Sequence, residues 1–299
     1  MLFKQEEKSW SKEDVRPVCL SGSKPINATF LRRAAILAVM STIGTICRRI
    51  SNITFLPGNI CVKSGEWVDL NEAATMQFVK HNTSIPVPTV YCAFKHKSRT
   101  YIVMQRMKGD MLGSYWIKRS EESKARVLAQ LRSMLDELRT LKSPNSPAVA
   151  NVDGGSLFDM RLPGLGVNYP EVTAIRFGPF VDITAFHRWL TRPCTEPLEK
   201  YSTELNHLLD YYRNNDWGEP VFTHGDLSSL NILVQGDRIT AILDWETAGW
   251  FPSYWEYTTA SQVNPRNMFW SDFLDRFLEP KPRERDMDRV RNSIFGDFN

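Results

Sequence analysis

Cysteine is scarce and shows no pairing pattern: Cys19, Cys47, Cys61, Cys92 and Cys194 are the only five in a chain of 299 residues. An odd number without a C-x-x-C pair argues against a disulfide frame or a zinc site and for free thiols in a reducing compartment, with the cytosol as the default. Neither sign of charge dominates. Lys and Arg number 37 against 34 Asp and Glu, a formal +3, too small an excess to argue for a nucleic-acid or membrane partner. Long hydrophobic runs are missing too. The longest, Ala34 to Cys47, is diluted by Ser41, Thr42, Gly44 and Thr45 and bracketed by Arg32-Arg33 and Arg48-Arg49. A bilayer span needs about 20 residues, so a helix packed on the fold is expected here, with peripheral membrane contact as the competing reading. Internal repeats and low-complexity tracts are absent. Asn27-Ala-Thr, Asn52-Ile-Thr and Asn82-Thr-Ser match the glycosylation pattern, but the polar start M-L-F-K-Q-E-E-K carries no secretory signal, so they are given no weight.

The chain does have the size and composition of a globular protein, with 42% hydrophobic and 24% charged residues, enough for two lobes sharing one cleft. Its densest pattern runs from Val221 to Glu246, V-F-T-H-G-D-L-S-S-L-N-I-L-V and then, past a Gly236-Asp237 hairpin signal, I-T-A-I-L-D-W-E. Asp226, Asn231 and Asp244 stand at the ends of β-prone runs, where they can converge on a metal-bound phosphate. Phosphoryl transfer asks the protein mainly for an oriented hydroxyl and for metal ions that neutralise charge on the phosphate oxygens. Asp226 is accordingly the candidate base, and Asn231 and Asp244 are candidate Mg2+ ligands, hard oxygen donors for a hard cation. His224 has two readings, an orienting partner for the loop or a packed histidine that fixes its backbone.

H-G-D-L-x-x-x-N-I-L followed by L-D-W-E resembles the family of aminoglycoside kinases, choline kinases and related small-molecule phosphotransferases. The resemblance implies an α+β, bilobal, protein-kinase-like fold, with a small antiparallel sheet and a helix in the first lobe and a mostly helical second lobe. It implies ATP and Mg2+ as cofactors and a small-molecule hydroxyl as acceptor. Protein kinases usually carry Arg where this chain has Gly225 and Lys where it has Ser228.

Upstream, Ile50 to Leu56 and Ile60 to Lys63 read as two strands joined across Pro57-Gly58-Asn59. The resemblance places at Lys63 the lysine that contacts the nucleotide phosphates, and Glu72, opening a helix from about Leu70 to Lys80, is its candidate partner. Asp69-x-x-Glu72 also has the pattern of a capping box. Thr83 to Val90 is expected to be extended because of its two prolines. After a buried strand at Tyr101 to Gln105, the hinge Gln105-Arg106-Met107 should offer its backbone to the adenine edge, which makes Gln105 and Met107 nucleotide-binding candidates. The expected organisation is an N-terminal extension over 1–48, a nucleotide-binding lobe over 49–108 and a catalytic lobe over 109–299. A nucleotide-covering loop usually supplied with glycines should lie between the first two strands; only Pro-Gly-Asn is found there.

In the second lobe, Leu128, Leu131, Leu135, Leu138 and Leu141 mark an amphipathic helix. Ser143 to Asp159 reads as a surface connection, with Gly154-Gly155 as turn chemistry. Helices are expected from Asp182, with Asp182 as N-cap, and over about Leu198 to Asn214; relatives build substrate pockets in such inserted helices. Trp245, Trp250, Phe251, Tyr254 and Trp255 crowd the segment after Asp244, either as core or as a stacking site for a cationic amine. Glu246 is a candidate for substrate or a second metal, and Glu256 for a tie between the next helix and the catalytic loop. That helix should start near Pro252, too soon for the activation segment on which protein kinases dock peptides. The sequence thus favours an ATP- and Mg2+-dependent kinase of a small molecule, without an evident obligate protein partner. A non-catalytic pseudokinase that senses a nucleotide or metabolite is the alternative, and a protein kinase the third reading.

Overall fold

The structure, a computed structural model, describes residues 21–162, 176–191, 202–262 and 265–295. Thr29 opens the first helix, α1 (Phe30–Ser41), by accepting a hydrogen bond from the Arg32 amide at 3.4 Å, and after a break at Thr42 a single turn follows, α2 (Ile43–Ile46). β1 (Arg49–Ile50), β2 (Ile53–Leu56) and β3 (Ile60–Gly65) form an antiparallel meander. The expected single strand Ile50 to Leu56 is therefore two. Ser51 adopts a left-handed backbone, φ 50, which folds Ile50 back onto Ile53. The Pro57-Gly58-Asn59 turn joins β2 to β3 as its composition indicates, with φ 80 at Gly58 and 59 at Asn59.

Helix α3 (Leu70–Asn82) then crosses to an extended stretch leading into β4 (Val90–His96) and β5 (Arg99–Gln105), and the sheet closes in the order β1-β2-β3-β5-β4. Strand alternation divides it into two faces. Val62, Cys92, Phe94 and Val103 meet Ile36, Leu37 and Met40 of α1, whereas Cys61, Ala93, Ile102 and Met104 join the core that contains Ala73, Met76 and Val79 of α3. No residue of α1 is fully buried. Complete burial of an aliphatic side chain contributes about 1.5–3 kcal/mol, so α1 is the more lightly held of the two helices.

Past Gly109 the chain becomes mostly helical. β6 (Asp110–Met111) leads through a 3-10 stretch to α4 (Glu121–Thr140), capped by Ser120, in which Leu128, Leu131, Leu135 and Leu138 form the buried stripe. The segment after it is at the surface over Pro144 to Pro147, as expected, but from Val149 on it corrects the expectation of a surface connection. Val149, Ala150, Asn151, Ser156, Leu157 and Asp159 are all buried, because the segment finds distant backbone partners. Asn151 Nδ2 donates to the carbonyls of Ser21 at 2.6 Å and Ser156 at 2.9 Å, and the Trp250 amide donates to Ala150 at 2.8 Å. A Cβ on Gly155 would come within 2.0 Å of the Ser21 carbonyl oxygen, so only glycine fits there.

β7 (Leu157–Phe158) pairs with β8 (Arg176–Phe177), and α5 (Ile183–Leu190) begins at its Asp182 cap as the sequence indicates. α6 (Thr203–Asn214) contains the described part of the next expected helix; the expected start at Leu198, like Cys19 and Cys194, lies outside the described residues. β9 (Val221–Thr223), the hairpin of β10 (Ile232–Gln235) and β11 (Arg238–Ile242), and β12 (Gly249–Phe251) carry the dense motif. β6 adds to the edge of β10, so the first strand past the hinge stiffens the catalytic hairpin. Helices α7 (Trp255–Ser261) and α8 (Pro282–Phe295) close the lobe. The result is the expected α+β, kinase-like architecture. No described helix is long and apolar enough to cross a membrane.

Candidate active site

β9 ends at Thr223 and delivers His224 into full burial. The imidazole accepts the Asp226 amide at Nδ1, 3.1 Å, and donates from Nε2 to the Leu243 carbonyl at 2.9 Å. That pairing sets the neutral Nε2-H tautomer. One ring therefore fixes the residue next to Gly225 and the residue before Asp244, which is the backbone-fixing reading of His224. Glu256, on the first turn of α7, accepts the amides of His224 at 2.7 Å and Gly225 at 3.0 Å, the tie expected of it. Gly225 is needed for both space and conformation: its φ is 83, and a Cβ would stand 2.9 Å from the Thr247 carbonyl.

Within the loop, Asn231 Nδ2 donates to the Asp226 carbonyl and to Asp226 Oδ2, each at 2.9 Å. Among the described residues Asp226 Oδ1 has no hydrogen-bond donor, and the side chain is 45% exposed. Asp244 follows β11 in the left-handed region, φ 64 and ψ 61, a conformation that costs a non-glycine residue about 1 kcal/mol or more and clusters at functional sites.

Lys63 reaches this region from β3. Its buried ammonium lies 2.8 Å from Glu72, 2.7 Å from Asp244 and 3.1 Å from Glu246. Burial alone would lower the Lys63 pKa, but the three carboxylates hold it well above its ordinary value. One positive charge cannot balance three negative ones. The most deeply buried of them, Glu72, is pushed up to about 8 by desolvation, with Asp244 and Glu246 adding to the rise and Lys63 opposing it. Of the two readings of Asp69-x-x-Glu72, the ion pair describes Glu72: Asp69 caps α3 through the Asn71 amide at 2.9 Å, while the Glu72 carboxylate turns inward to Lys63.

Glu72, Asp244 and Glu246 present carboxylate oxygens within 4.8 Å of one another. This all-oxygen set with excess negative charge fits a hard divalent cation such as Mg2+. Asn231 donates to Asp226 through its amide nitrogen, and its backbone carbonyl accepts the amide of Leu243, the residue before Asp244, at 2.8 Å. Lys63, Glu72, Asp244 and Glu246 form an ion-pair cluster, and Asp226 with Asn231 is a hydrogen-bonded pair.

At the hinge, the Gln105 amide donates to the Thr89 carbonyl at 2.9 Å and its side chain accepts from the Thr89 hydroxyl at 2.9 Å. The Arg106 amide donates to Asn59 at 2.8 Å, and no hydrogen bond among the described residues engages the Met107 backbone. The turn between the first two strands is Ser51-Asn52, not Pro57-Gly58-Asn59, and contains no glycine. The aromatic stacking site is ruled out by burial. Trp245, Trp250, Phe251, Tyr254 and Trp255 are at most 2% exposed, packed in two cores with no face open to a ligand. One residue escaped the sequence reading: Arg161, two residues past the segment expected to be a surface connection, stands 3.8 Å from Asp226. The Asp159-x-Arg161 pair was its only local signal.

Compared with curated proteins, the chain finds no match. Among solved structures it is similar to a thermostable mutant of the aminoglycoside phosphotransferase APH(4)-Ia in ternary complex with AMP-PNP and hygromycin B, with TM-score 0.56 at 17% identity over 86% of this chain and 90% of that one. It is also similar to the streptomycin-ATP-APH(2")-IIa ternary complex, with TM-score 0.54 at 14% identity over 90% of each chain. At these identities the likeness establishes the fold. The sequence itself matches the phosphotransferase enzyme family over residues 70–291, a stretch that holds Glu72, the hinge, the catalytic loop and Asp244. By that match the chain belongs to the phosphotransferase enzyme family.

Proposed function

We propose that the chain transfers the γ-phosphate of ATP to a hydroxyl of a small molecule, with residues 49–108 as the nucleotide-binding lobe and 109–299 as the catalytic lobe. The observation that carries this reading is that Asp226 Oδ1 has no hydrogen-bond donor among the described residues, on a loop whose backbone is tied down. Asn231 holds Oδ2, His224 and Glu256 fix the backbone, and one carboxylate oxygen is left to accept a proton. In this role Asp226 orients the acceptor hydroxyl and takes its proton. Lys63, steadied by Glu72, contacts the phosphates, and the Gln105 carbonyl and the Met107 backbone face the adenine. Asp244 and Asn231 would hold Mg2+, with Glu246 beside them, and the Asn231 amide nitrogen also orients Asp226. When bound, Mg2+ neutralises charge on the phosphate oxygens. The relatives' aminoglycoside acceptors make polyhydroxylated amines the first class to try.

The pseudokinase alternative draws on one feature, the two-residue Ser51-Asn52 turn where a nucleotide-covering loop is expected. Against it stand Asp226, Asn231 and Asp244, a full set with no chemical use in a non-enzyme. The test is calorimetric titration of ATP with and without Mg2+, followed by a screen of labelled-phosphate transfer to aminoglycosides, amino alcohols, sugars and amino acids. Metal-dependent binding with a Kd of about 0.1–1 mM, roughly 4–5.5 kcal/mol, together with transfer to a hydroxyl, is expected. A folded protein that binds no Mg-ATP at several millimolar would overturn the kinase reading.

A further inference from the structure

Phosphoryl transfer brings an anionic phosphate toward a carboxylate base, and protein kinases set a lysine two residues past that base. Here Ser228 stands in that place, its hydroxyl bonded to the Leu230 amide at 3.1 Å and to Asn267 Nδ2 at 3.2 Å. From Thr223 to Gln235 the chain has no lysine or arginine at all. Among the described residues, the cation paired with Asp226 arrives from a remote segment, just past β7. Arg161 has five N-H donors in a fixed fork. Nε donates to Asp159 Oδ1 at 2.8 Å; Nη2 donates to Asp159 Oδ2 at 2.7 Å and, with its second proton, to the Gly225 carbonyl; Nη1 donates to the Thr259 carbonyl at 3.3 Å. One N-H remains. It is on Nη1, which lies 3.8 Å from Asp226 Oδ1.

That separation is too long for a hydrogen bond but short for a charge pair between partly buried groups. We propose that Arg161 is the positioning residue of the catalytic base: clamped by Asp159 and two backbone carbonyls, it places positive charge beside Asp226 Oδ1 without occupying it. The inference rests on the reading of Asp226 as base. In the transfer step the acceptor oxygen bonds to the γ-phosphorus, the bond from that phosphorus to the bridging oxygen breaks with its electron pair leaving on ADP, and the hydroxyl proton passes to Oδ1. Arg161 offsets the repulsion between the carboxylate and the incoming phosphate and, through the Gly225 carbonyl, holds the peptide from which Asp226 projects. With its other donors engaged among the described residues, the Nη1 proton that faces Asp226 is the one left to meet the incoming phosphate or the carboxylate.

The test is a kinetic comparison of wild type, Arg161→Gln, Arg161→Lys, Arg161→Ala and Asp226→Ala, using phosphate transfer, or Mg-ATP hydrolysis where water replaces the acceptor. Arg161→Gln should lower kcat about 10- to 100-fold, less than loss of the base itself, with the KM for ATP within about twofold of wild type. Arg161→Lys should recover part of the loss, and millimolar guanidinium should restore part of kcat to Arg161→Ala and none to Asp226→Ala. A merely structural arginine would lower the thermal midpoint without this split or rescue. Near-wild-type kcat in Arg161→Gln, beside an inactive Asp226→Ala, would overturn the inference alone. Full activity in Asp226→Ala would overturn both it and the base assignment. Should Arg161→Gln fail to fold, the kcat deficit of Arg161→Lys decides: its absence sinks the idea.

Discussion

The two walls of the cleft differ in how their polar groups are satisfied. On the catalytic wall each group has a defined partner: His224 joins the Asp226 amide to the Leu243 carbonyl, Glu256 takes two consecutive amides, and Asn231 takes one oxygen of Asp226. Among the described residues Asp226 Oδ1 has no hydrogen-bond donor, and it is the atom that the proposed reaction needs. On the nucleotide wall the charges do not balance. Lys63 faces three carboxylates, the covering turn is two residues long, and Met107 keeps its backbone free. On the proposed function, this is a site preorganised for the transfer step and completed on the other side only when nucleotide and metal arrive. Preorganised donors and bases cost no rearrangement at the moment of reaction, whereas a wall that waits for its ligands pays in affinity.

The largest effect should come from the catalytic wall. Asp226→Ala is expected to reduce turnover by about 100- to 10,000-fold while leaving Mg-ATP affinity and the melting temperature close to wild type, because the side chain is half-exposed and accepts only the Asn231 amide. Steady-state kinetics beside calorimetry would read both. More than a tenth of wild-type turnover would mean that the open oxygen is not the base and would erase the contrast between the walls.

The segment from Val221 to Glu246 was also the part most legible in the sequence, and for a physical reason. Asp226, Asn231 and Asp244 lie within one hairpin and its flanks, so spacing along the chain translates almost directly into spacing in the fold. The Lys63-Glu72 pair could be read as well, because both residues come from consecutive elements. What could not be read was the non-local part. Ser143 to Asp159 has the proline and glycine content of a surface loop, yet Asn151 bonds to Ser21 and Ala150 to Trp250, and these remote partners bury its second half and bring Arg161 to Asp226. The aromatic run after Asp244 was equally ambiguous, since local sequence does not reveal which rings lose their solvent. Ser51 gave no glycine signal for its left-handed turn, so the first strand looked continuous.

A middling effect is expected at the junction of the walls. Lys63→Met removes the cation that spans from β3 to Asp244 and Glu246, and ATP affinity should fall about tenfold, near 1.4 kcal/mol, while adenosine binding stays unchanged. Burial of an uncompensated carboxylate ordinarily destabilises a fold strongly. Here Glu72 is already pushed up to about 8 and can take up a proton, so the variant should remain folded. Equal losses for ATP and adenosine would return Lys63 to a purely structural role.

The smallest effect concerns stability alone and tests whether the nucleotide wall truly carries surplus negative charge. The Glu72 carboxyl rises from an ordinary 4.5 to about 8 in the folded protein, through burial first and the neighbouring Asp244 and Glu246 second, with Lys63 opposing them. Below the ordinary value both folded and unfolded chains hold the proton, and stability does not depend on this group. Between the two values the folded chain keeps a proton that the unfolded chain has released, so stability falls as pH rises; above the upper value the full cost of the buried charge is present. Glu72→Gln keeps the shape and removes the charge at every pH. In metal-free protein with EDTA, its melting temperature relative to wild type should therefore increase steadily from pH 6 to pH 9, with a gain on the order of 2 °C at the upper end. An ordinary Lys63-Glu72 pair, with a depressed carboxyl, would give the opposite sign, a variant that is less stable throughout this range. A flat or negative difference would show that Lys63 balances its wall of the cleft, and the contrast with the catalytic wall would then rest on the short Ser51-Asn52 turn alone.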